Sequence, residues 1–453
     1  MHPEKLVPNN KNCDCAICKH QHDIDIPLEL VNDILGGNVT LFTGAGISTE
    51  SRNVLNITFY ETILGKVNAT EENLDFPSLM ESYCHQANGR FKLLHEIKSR
   101  FDTIDSFPEL RQSATRFHRE LGTLFTIKNI ITTNWDTYFE RYCKATPFVV
   151  DSDLSFWEAA DRRVLKIHGS IDNLSSIVAT NKDYEDCEKR LNIGLIGSFL
   201  KTILATQTVI FIGYSLSDTD FSAVYNYVKR QMENLHKQAY IITPFAEEAE
   251  KFREIGLIPI VTDGSYFINL VKLHAVHEGL ILPDSIFDHA SILLNAVREE
   301  HQLLHDGISA INFPQVIHSA AYQDGLMHAL ERALEMRNSG SYSHRCRLSS
   351  VASKYNEMKS EYIKNKSYNN FAYIEGYLNG LIFLLLDDDE REEFCIPLYF
   401  AFGAKDDFFN FKDYKSFIES NPDAHKASLK SAKKIVASVN NPESIVFHHP
   451  PWL

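Results

Sequence analysis

The sequence has no long apolar run. Its longest apolar stretch, LIFLLL at residues 381–386, is far shorter than the roughly 20 residues that a membrane-spanning helix needs. The first ten residues, MHPEKLVPNN, lack the apolar core of a signal peptide. We therefore expect a cytoplasmic protein with no membrane association.

Positive charge and paired cysteines are also scarce. The chain has 45 Lys and Arg residues against 60 Asp and Glu residues, and its formal net charge is −15. Such a chain repels a phosphate backbone, so no direct nucleic-acid binding is expected. The eight cysteines are mostly scattered, as in reduced cytoplasmic proteins. A length of 453 residues exceeds what one core usually serves, which predicts two domains.

Short β-branched runs alternate with helical stretches over the first two thirds of the chain. Strands are predicted at residues 39–42, 128–133, 163–167, 208–212, 239–242 and 258–261. Helices are predicted at residues 135–143, 218–235 and 247–254. This alternation predicts an α/β fold, a Rossmann-like parallel sheet with helices on both faces. We assign residues 30–283 to this domain and residues 1–29 to a separate N-terminal segment.

The strand signal fades after Pro283. Helical periodicity at residues 286–305, 319–337 and 368–386 predicts a mainly α-helical C-terminal domain over residues 284–453. One helix carries an apolar stripe and the region after it is rich in aromatic residues: Ala320, Leu326, Ala329, Leu330, Ala333 and Leu334, then Phe394, Tyr399, Phe400, Phe402, Phe408 and Phe409. Such surfaces need a cover. We therefore expect a homo-oligomer in which this domain mediates assembly, or a domain that docks a regulator.

A glycine-rich loop follows the first strand. Residues 44–48 read Gly44-Ala45-Gly46-Ile47-Ser48. A strand that runs into Gly-x-Gly and then into a helix lets the backbone approach a pyrophosphate, and the helix N-terminus supplies amide donors. An ordinary tight connection is an equal alternative, and without a third glycine the loop fits a dehydrogenase poorly.

Polar residues or glycines mark the ends of three further strands. They are Thr133, Asn134 and Asp136 at the second strand, His168 and Gly169 at the third, and Gly213 and Ser215 at the fourth. Each has a structural alternative: Asn134 as a helix N-cap, His168 as a satisfied core histidine and Gly213 as a turn glycine. Four such strand ends nevertheless converge on one edge of a parallel sheet, which predicts a ligand site there.

These four elements, in this order, resemble those of the sirtuin family. The resemblance covers roughly residues 30–280 and implies that NAD is the substrate. Residues 44–48 resemble the family's Gly-Ala-Gly-x-Ser cofactor loop, residues 132–136 its Thr-x-Asn-x-Asp segment, and His168-Gly169 its catalytic His-Gly pair. By the same resemblance, the residues that contact NAD are Gly44, Ala45, Gly46, Ser48, Thr133, Asn134, Gly213 and Ser215.

Two elements of the protein-deacylating sirtuins are missing. Their zinc ribbon uses two Cys-x-x-Cys pairs, whereas this chain has only Cys187 between His168 and Gly213. Their Asp-Phe-Arg element is not reproduced by residues 51–54, which read SRNV. The pattern resembles the bacterial sirtuin-like NAD hydrolases of anti-phage defence. That resemblance implies a second domain or partner that controls the enzyme, of which a HerA-type ATPase is one example.

We therefore expect an NAD glycohydrolase, with a protein deacylase and a non-catalytic NAD or ADP-ribose sensor as alternatives. Cleavage of the nicotinamide–ribose bond passes through an oxocarbenium-like cation, so the protein must hold the ribose and stabilise developing charge. Asn134 is expected to orient the ribose or the attacking water. His168 is expected to be a base or a partner of ribose hydroxyls, because histidine titrates near neutral pH. Asp136 is expected to orient either group, to stabilise the cation or to be structural.

A second cluster of candidate ligands lies near the N-terminus. Cys13, Cys15, Cys18, His20 and His22 fall within ten residues. Thiolates and imidazoles suit Zn²⁺, but the spacing matches no common zinc finger. Zinc at Cys13, Cys15, Cys18 and His20 is therefore possible but not assigned, and reduced thiols or a flexible tail are the alternatives.

Overall fold

The computed structural model describes residues 17–67, 74–214, 229–230, 238–387, 390–391, 396–439, 442 and 446–451. The chain divides into two compact units, Met1–Ala275 and Val276–Leu453, which we call the sheet unit and the helical unit. The division falls a little before the boundary at Pro283 suggested by the sequence. The helix expected at residues 218–235 lies outside the described residues, except for residues 229–230.

The sheet unit is built on seven parallel strands. In chain order they are β1 (Val39–Thr43), β2 (Asn129–Thr132), β3 (Thr146–Phe148), β4 (Arg163–Lys166), β5 (Thr208–Ile212), β6 (Ala239–Thr243) and β7 (Ile258–Val261). Their order across the sheet is β3-β4-β2-β1-β5-β6-β7, and every pairing is parallel. The predicted fold class is confirmed. The sequence missed β3, a three-residue edge strand with a central proline, a residue that sheets tolerate at an edge.

Successive residues of a strand point to opposite sides of the sheet. Helices cover both of these sides. The helices that begin in this unit are α1 (Leu28–Leu35), α2 (Phe59–Leu64), α3 (Phe76–Cys84), α4 (Gly89–Ser106), α5 (Pro108–Ala114), α6 (Arg116–Gly122), α7 (Tyr138–Cys143), α8 (Asn181–Ile193), α9 (Leu195–Thr206), α10 (Ala249–Glu254) and α11 (Gly264–His277). Leu41 of β1 packs in one apolar cluster, to which α1, α6, α7 and α11 contribute. Phe42 packs in a second cluster, to which α9 and α10 contribute.

The strand order creates a switch point at the centre of the sheet. From β1 the chain moves to β2 on one side, and later crosses to β5 on the other side. Thr43 at the end of β1 is in register with Thr132 of β2 and with Ile212 of β5. The loops after these strands therefore leave the sheet side by side, at the edge where open α/β folds bind ligands.

The expectation that an α-helix begins directly after Gly46 is wrong. The loop forms one turn of 3₁₀-helix, Ala45–Ile47, and the next α-helix begins only at Phe59. That helix has its own start signal, a capping box between Thr58 and Glu61. A helix dipole behind the glycine loop is therefore not part of this site.

The helical unit has a core of its own. It contains α12 (Ser285–Gly307), α13 (Val316–Met336), α14 (Arg345–Lys364), α15 (Tyr368–Leu385), α16 (Phe411–Ser420) and α17 (Lys426–Ala437). α13 and α15 pack with their backbones close together: a Cβ on Gly325 would lie 1.9 Å from the Tyr373 carbonyl oxygen, and a Cβ on Gly376 would lie 1.8 Å from that of Tyr322. Small residues at these crossings are required.

The apolar stripe predicted on residues 319–337 is covered inside this unit. Leu326, Ala329, Leu330 and Ala333 are each 0% exposed in a cluster shared with α12 and α15. Of the aromatic residues after it, Tyr399 and Phe408 are buried, and Phe394 lies outside the described residues. The stripe therefore gives no reason to expect a second subunit.

Candidate functional site

A cavity of about 1100 Å³ opens at the carboxyl edge of the central strands. Its walls include six of the residues that the sequence assigned to NAD binding or catalysis: Ala45, Gly46, Thr133, Asn134, His168 and Gly213. Gly44, Ser48 and Asp136 are not on its walls but lie next in sequence to residues that are. Ser215 lies outside the described residues. The volume is slightly above the usual range for ligand sites, about 300–1000 Å³.

A hydrogen-bond chain orients Asn134. The Ser48 hydroxyl donates to Asp136 Oδ2 over 3.0 Å, so it must accept from Asn134 Nδ2 at 3.3 Å. This fixes the amide, with its NH₂ group toward Ser48 and its oxygen away from it. Within the described part of the chain, Asn134 Oδ1 is buried without a hydrogen-bond partner. An acceptor in that state on a cavity wall is suited to a ligand hydroxyl or a water.

Asp136 does not line the cavity and instead holds the loop through hydrogen bonds. Its Oδ2 accepts from Ser48, its Oδ1 accepts from the Tyr138 backbone N–H over 3.1 Å, and the residue is 3% exposed. Of the three roles expected for Asp136, this geometry fits the structural one. It positions Asn134 through Ser48.

A buried ion pair contacts the backbone of the same loop. The Lys166 ammonium, 0% exposed, lies 2.9 Å from Glu140 Oε1 and donates to the backbone carbonyl of Asp136. Burial raises the pKa of Glu140, and the charge of Lys166 opposes that shift. This pair could not be recognised from the sequence, because nothing in the spacing of residues 140 and 166 shows that β4 lies beside the start of α7.

His168 is placed on the wall by a turn that only glycine can make. Gly169 has φ +86°, and a Cβ there would lie 2.1 Å from the Ser176 carbonyl oxygen. The His168 ring is 7% exposed and meets the Tyr184 ring edge-on, with centroids 5.1 Å apart. Tyr184 also lines the cavity and was not recognised from the sequence.

The glycines at the ends of β1 and β5 let two loops touch. The Gly46 N–H donates to the Gly213 carbonyl over 3.1 Å. A Cβ on Gly44 or Gly46 would lie 2.7 or 2.8 Å from that same oxygen. Tyr214, which follows β5, binds the end of β1, because its hydroxyl donates to the Thr43 carbonyl over 3.1 Å. These contacts give the glycines a structural reason besides the expected approach to a pyrophosphate.

The opposite wall comes from the helices between β1 and β2. The Trp135 ring meets Phe59 and Phe76 at centroid distances of 6.2 Å in both cases. Arg100 of α4 lies 3.0 Å from Glu50 Oε1 and donates to the Thr49 carbonyl over 2.9 Å. The cavity thus combines an aromatic surface with fixed charges, none of which the sequence analysis identified.

The N-terminal cluster is only partly described. Cys13 and Cys15 lie outside the described residues. Cys18 is buried in a short 3₁₀-helix, and His20 Nδ1 lies 3.1 Å from the Pro244 carbonyl oxygen, where it donates its proton. His20 also reaches the cavity wall. The possible zinc site therefore stays a hypothesis.

No helix in the described part of the chain is long and apolar enough to cross a membrane.

Comparison with known proteins gives one family and several relatives. Residues 128–260 match the SIR2-like domain. Defense-associated sirtuin 2 of Bacillus subtilis is 26% identical over 227 residues, which are 48% of this chain and 22% of that protein. The NAD(+) hydrolase ThsA of Enterococcus faecium is 27% identical over 217 residues, 46% of this chain and 43% of that protein. The NAD(+) hydrolase ThsA of Cytobacillus dafuensis is 25% identical over 321 residues, which are 66% of this chain and 60% of that protein. Each match covers less than two thirds of the relative's own length.

Proposed function

We propose that this chain, which carries a SIR2-like domain, is an NAD glycohydrolase that binds NAD in the cavity of the sheet unit. The observation that carries the proposal is that Asn134 and His168 line one cavity, with the amide oxygen of Asn134 buried and unpartnered among the described residues. The relatives named NAD(+) hydrolase support it.

The reaction proposed is NAD⁺ plus water to nicotinamide, ADP-ribose and a proton. The bond between the nicotinamide nitrogen and ribose C1 breaks, and its electron pair leaves with nicotinamide. Asn134 Oδ1 accepts a hydrogen bond from a ribose hydroxyl or from the water, which holds the reactants in line. His168 takes the proton lost by the water, or by a ribose hydroxyl as charge develops.

The proposed biological role is depletion of NAD in bacterial anti-phage defence. It is supported by the relative named a defense-associated sirtuin and by the NAD(+) hydrolases. A HerA-type ATPase as regulatory partner and a cytoplasmic location remain part of the proposal. So does the assignment of residues 30–283 to catalysis and of residues 284–453 to regulation or assembly.

NAD cleavage is expected to need no acyl-lysine peptide. Residues 168–213 are all described, and they form one 3₁₀ turn, α8, α9 and β5 without a ribbon. Cys187, the cysteine in this stretch, is buried in α8. Purified chain incubated with NAD should yield nicotinamide and ADP-ribose in equal amounts, with or without an acetylated peptide. Chromatography of the reaction mixture measures both products.

Two results would favour the alternatives. Nicotinamide release that depends strictly on the peptide, with an acylated ADP-ribose as product, would indicate a deacylase. Saturable NAD binding with no turnover, with and without candidate activators, would indicate a sensor.

We also propose that the chain forms a homo-oligomer through the helical unit. Support comes from two exposed apolar residues of α12, Ile292 at 68% and Leu303 at 47% exposure. Eleven residues span about three turns, so both lie on one side of the helix. Light scattering at micromolar concentration should give a multiple of the chain mass, and Ile292→Lys should reduce it while Leu195→Lys, at an exposed position of the sheet unit, should not. A monomeric parent chain would contradict the proposal.

A further inference from the structure

Three histidines come together in the helical unit. His301 and His305 lie four residues apart on α12, a spacing that places them on one face of the helix. His448 belongs to the segment 446–451 near the C-terminus. One ligand nitrogen from each ring lies within 4.8 Å of the other two, and the described residues contain no other group of three potential ligands this close.

The hydrogen bonds of His301 leave one of its nitrogens for a ligand. Gln323 donates through Nε2 to the Leu398 carbonyl over 2.9 Å, which turns its Oε1 toward His301 Nδ1 at 2.9 Å. Because that oxygen only accepts, Nδ1 carries the proton and Nε2 carries a lone pair. The Nε2 of His305 lies 2.9 Å from this Nε2.

A buried carboxylate completes the group. The Asp324 side chain is 3% exposed, and its Oδ1 lies 2.9 Å from His448 Nδ1. Its Oδ2 accepts from the His449 backbone N–H over 2.6 Å. Among the described residues its ion-pair partners are His448 and His301, with no lysine or arginine. A buried carboxylate in that setting favours a nearby cation. Because this carboxylate is bound at Nδ1 of His448, Nε2 of that ring is left for a ligand, as in metal-binding histidines whose other nitrogen is held by a carboxylate.

We infer that His301, His305 and His448 bind one divalent transition-metal ion of the zinc class, with Asp324 orienting His448. Tetrahedral Zn²⁺ with Zn–N bonds of about 2.0–2.1 Å places its ligand nitrogens about 3.3 Å apart. Nε2 of His301 and Nε2 of His305 are 2.9 Å apart, and one nitrogen from each of the three rings lies within 4.8 Å of the others, which brackets that separation.

The ion has a structural consequence. His301 and His305 come from α12 and Asp324 from α13, whereas His448 follows the last helix by several residues. Metal binding therefore fastens the segment 446–451 to the helical core. The fourth coordination position is left to water, as in three-histidine sites.

Metal binding by the full chain tests the inference. The chain, carrying no polyhistidine tag, is stripped with a chelator and titrated with ZnCl₂ by calorimetry and with CoCl₂ by visible absorbance. One ion per chain is expected. His305→Gln and His448→Gln should each weaken the affinity by about 100-fold or more, and Asp324→Asn by roughly 10–100-fold, as for loss of a carboxylate that orients a metal-bound histidine. His289→Gln, at an exposed position of α12, should leave the affinity unchanged.

The His448→Gln variant separates loss of metal binding from loss of folding. The His448 side chain is 56% exposed, so its replacement should not unfold the helical unit. The absorbance separates this site from the N-terminal cysteines, since thiolate ligands add a near-ultraviolet charge-transfer band and imidazoles do not. Failure of the parent chain to bind either metal would overturn the inference. So would binding that survives in both histidine variants and disappears in Cys15→Ser.

Discussion

Replacing Asn134 or His168 with alanine should lower the rate of NAD cleavage by about two orders of magnitude or more, as for loss of a positioned catalytic group. For Asn134 the reason is its Oδ1, which is buried without a partner among the described residues, in a side chain that lines the cavity. For His168 the reason is that its imidazole, which directly follows β4, lines the same cavity. Steady-state assays of nicotinamide release measure both effects.

Matched controls separate catalysis from folding. Asn129→Ala alters the same strand at its opposite end, where the side chain bonds Gln207 over 3.2 Å. His95→Ala removes an exposed imidazole from α4. Both controls should cleave NAD like the parent, and all four variants should unfold at similar temperatures. If soluble Asn134→Ala and His168→Ala also matched the parent rate, the site would be misassigned.

Gly213→Ala should lower NAD cleavage by about tenfold or more, because a small displacement of positioned groups is costly to rate. Gly213 has φ +76°, and a Cβ there would lie 2.8 Å from both the Gly44 carbonyl oxygen and the Ile47 nitrogen. Backbone atoms cannot rotate out of the way, so the loop after β1 must move, and Ala45 and Gly46 on the cavity wall move with it. The measurement is kcat and KM for NAD.

Gly37→Ala is the control for the backbone strain alone. Gly37 also has a positive φ, +75°, but a Cβ there would meet only the Thr126 carbonyl oxygen at 3.5 Å. Both variants carry the cost of the left-handed conformation, about 1–2 kcal/mol, and only Gly213→Ala adds the overlap. Equal NAD cleavage by the two variants would show that the contact between the loops does not shape the site.

Much of the sheet was predictable, because parallel strands buried on both faces are continuous apolar runs. β1 and β5, in which every residue is buried, stand out in the sequence for that reason. The helices between β1 and β2 were not predicted in the same way. Nothing in the sequence pattern of α2 to α6 shows whether these helices cover the sheet or line a cavity. The short turn after Gly46 was mistaken for a helix start because its decisive contact, with Gly213, is remote in sequence.

Some residues of the candidate site could also be recognised from the sequence, and others could not. Asn134 and His168 were recognisable because they follow strands, and strand ends meet by geometry. The link from Asp136 through Ser48 to Asn134 was not recognisable, since hydrogen-bond direction depends on side-chain placement. The spacing of His301 and His305 on one predicted helix was a usable signal. The sequence could not show that His448 closes the group.

The most direct test of the central claim is a crystal structure of His168→Ala grown with NAD, in which turnover is slowed. We expect one intact dinucleotide in the cavity of the sheet unit, with the nicotinamide ribose within hydrogen-bond distance of Asn134 Oδ1 and beside the space left at position 168. A dinucleotide bound elsewhere, or a cavity that stays without NAD at saturating concentration, would contradict the account.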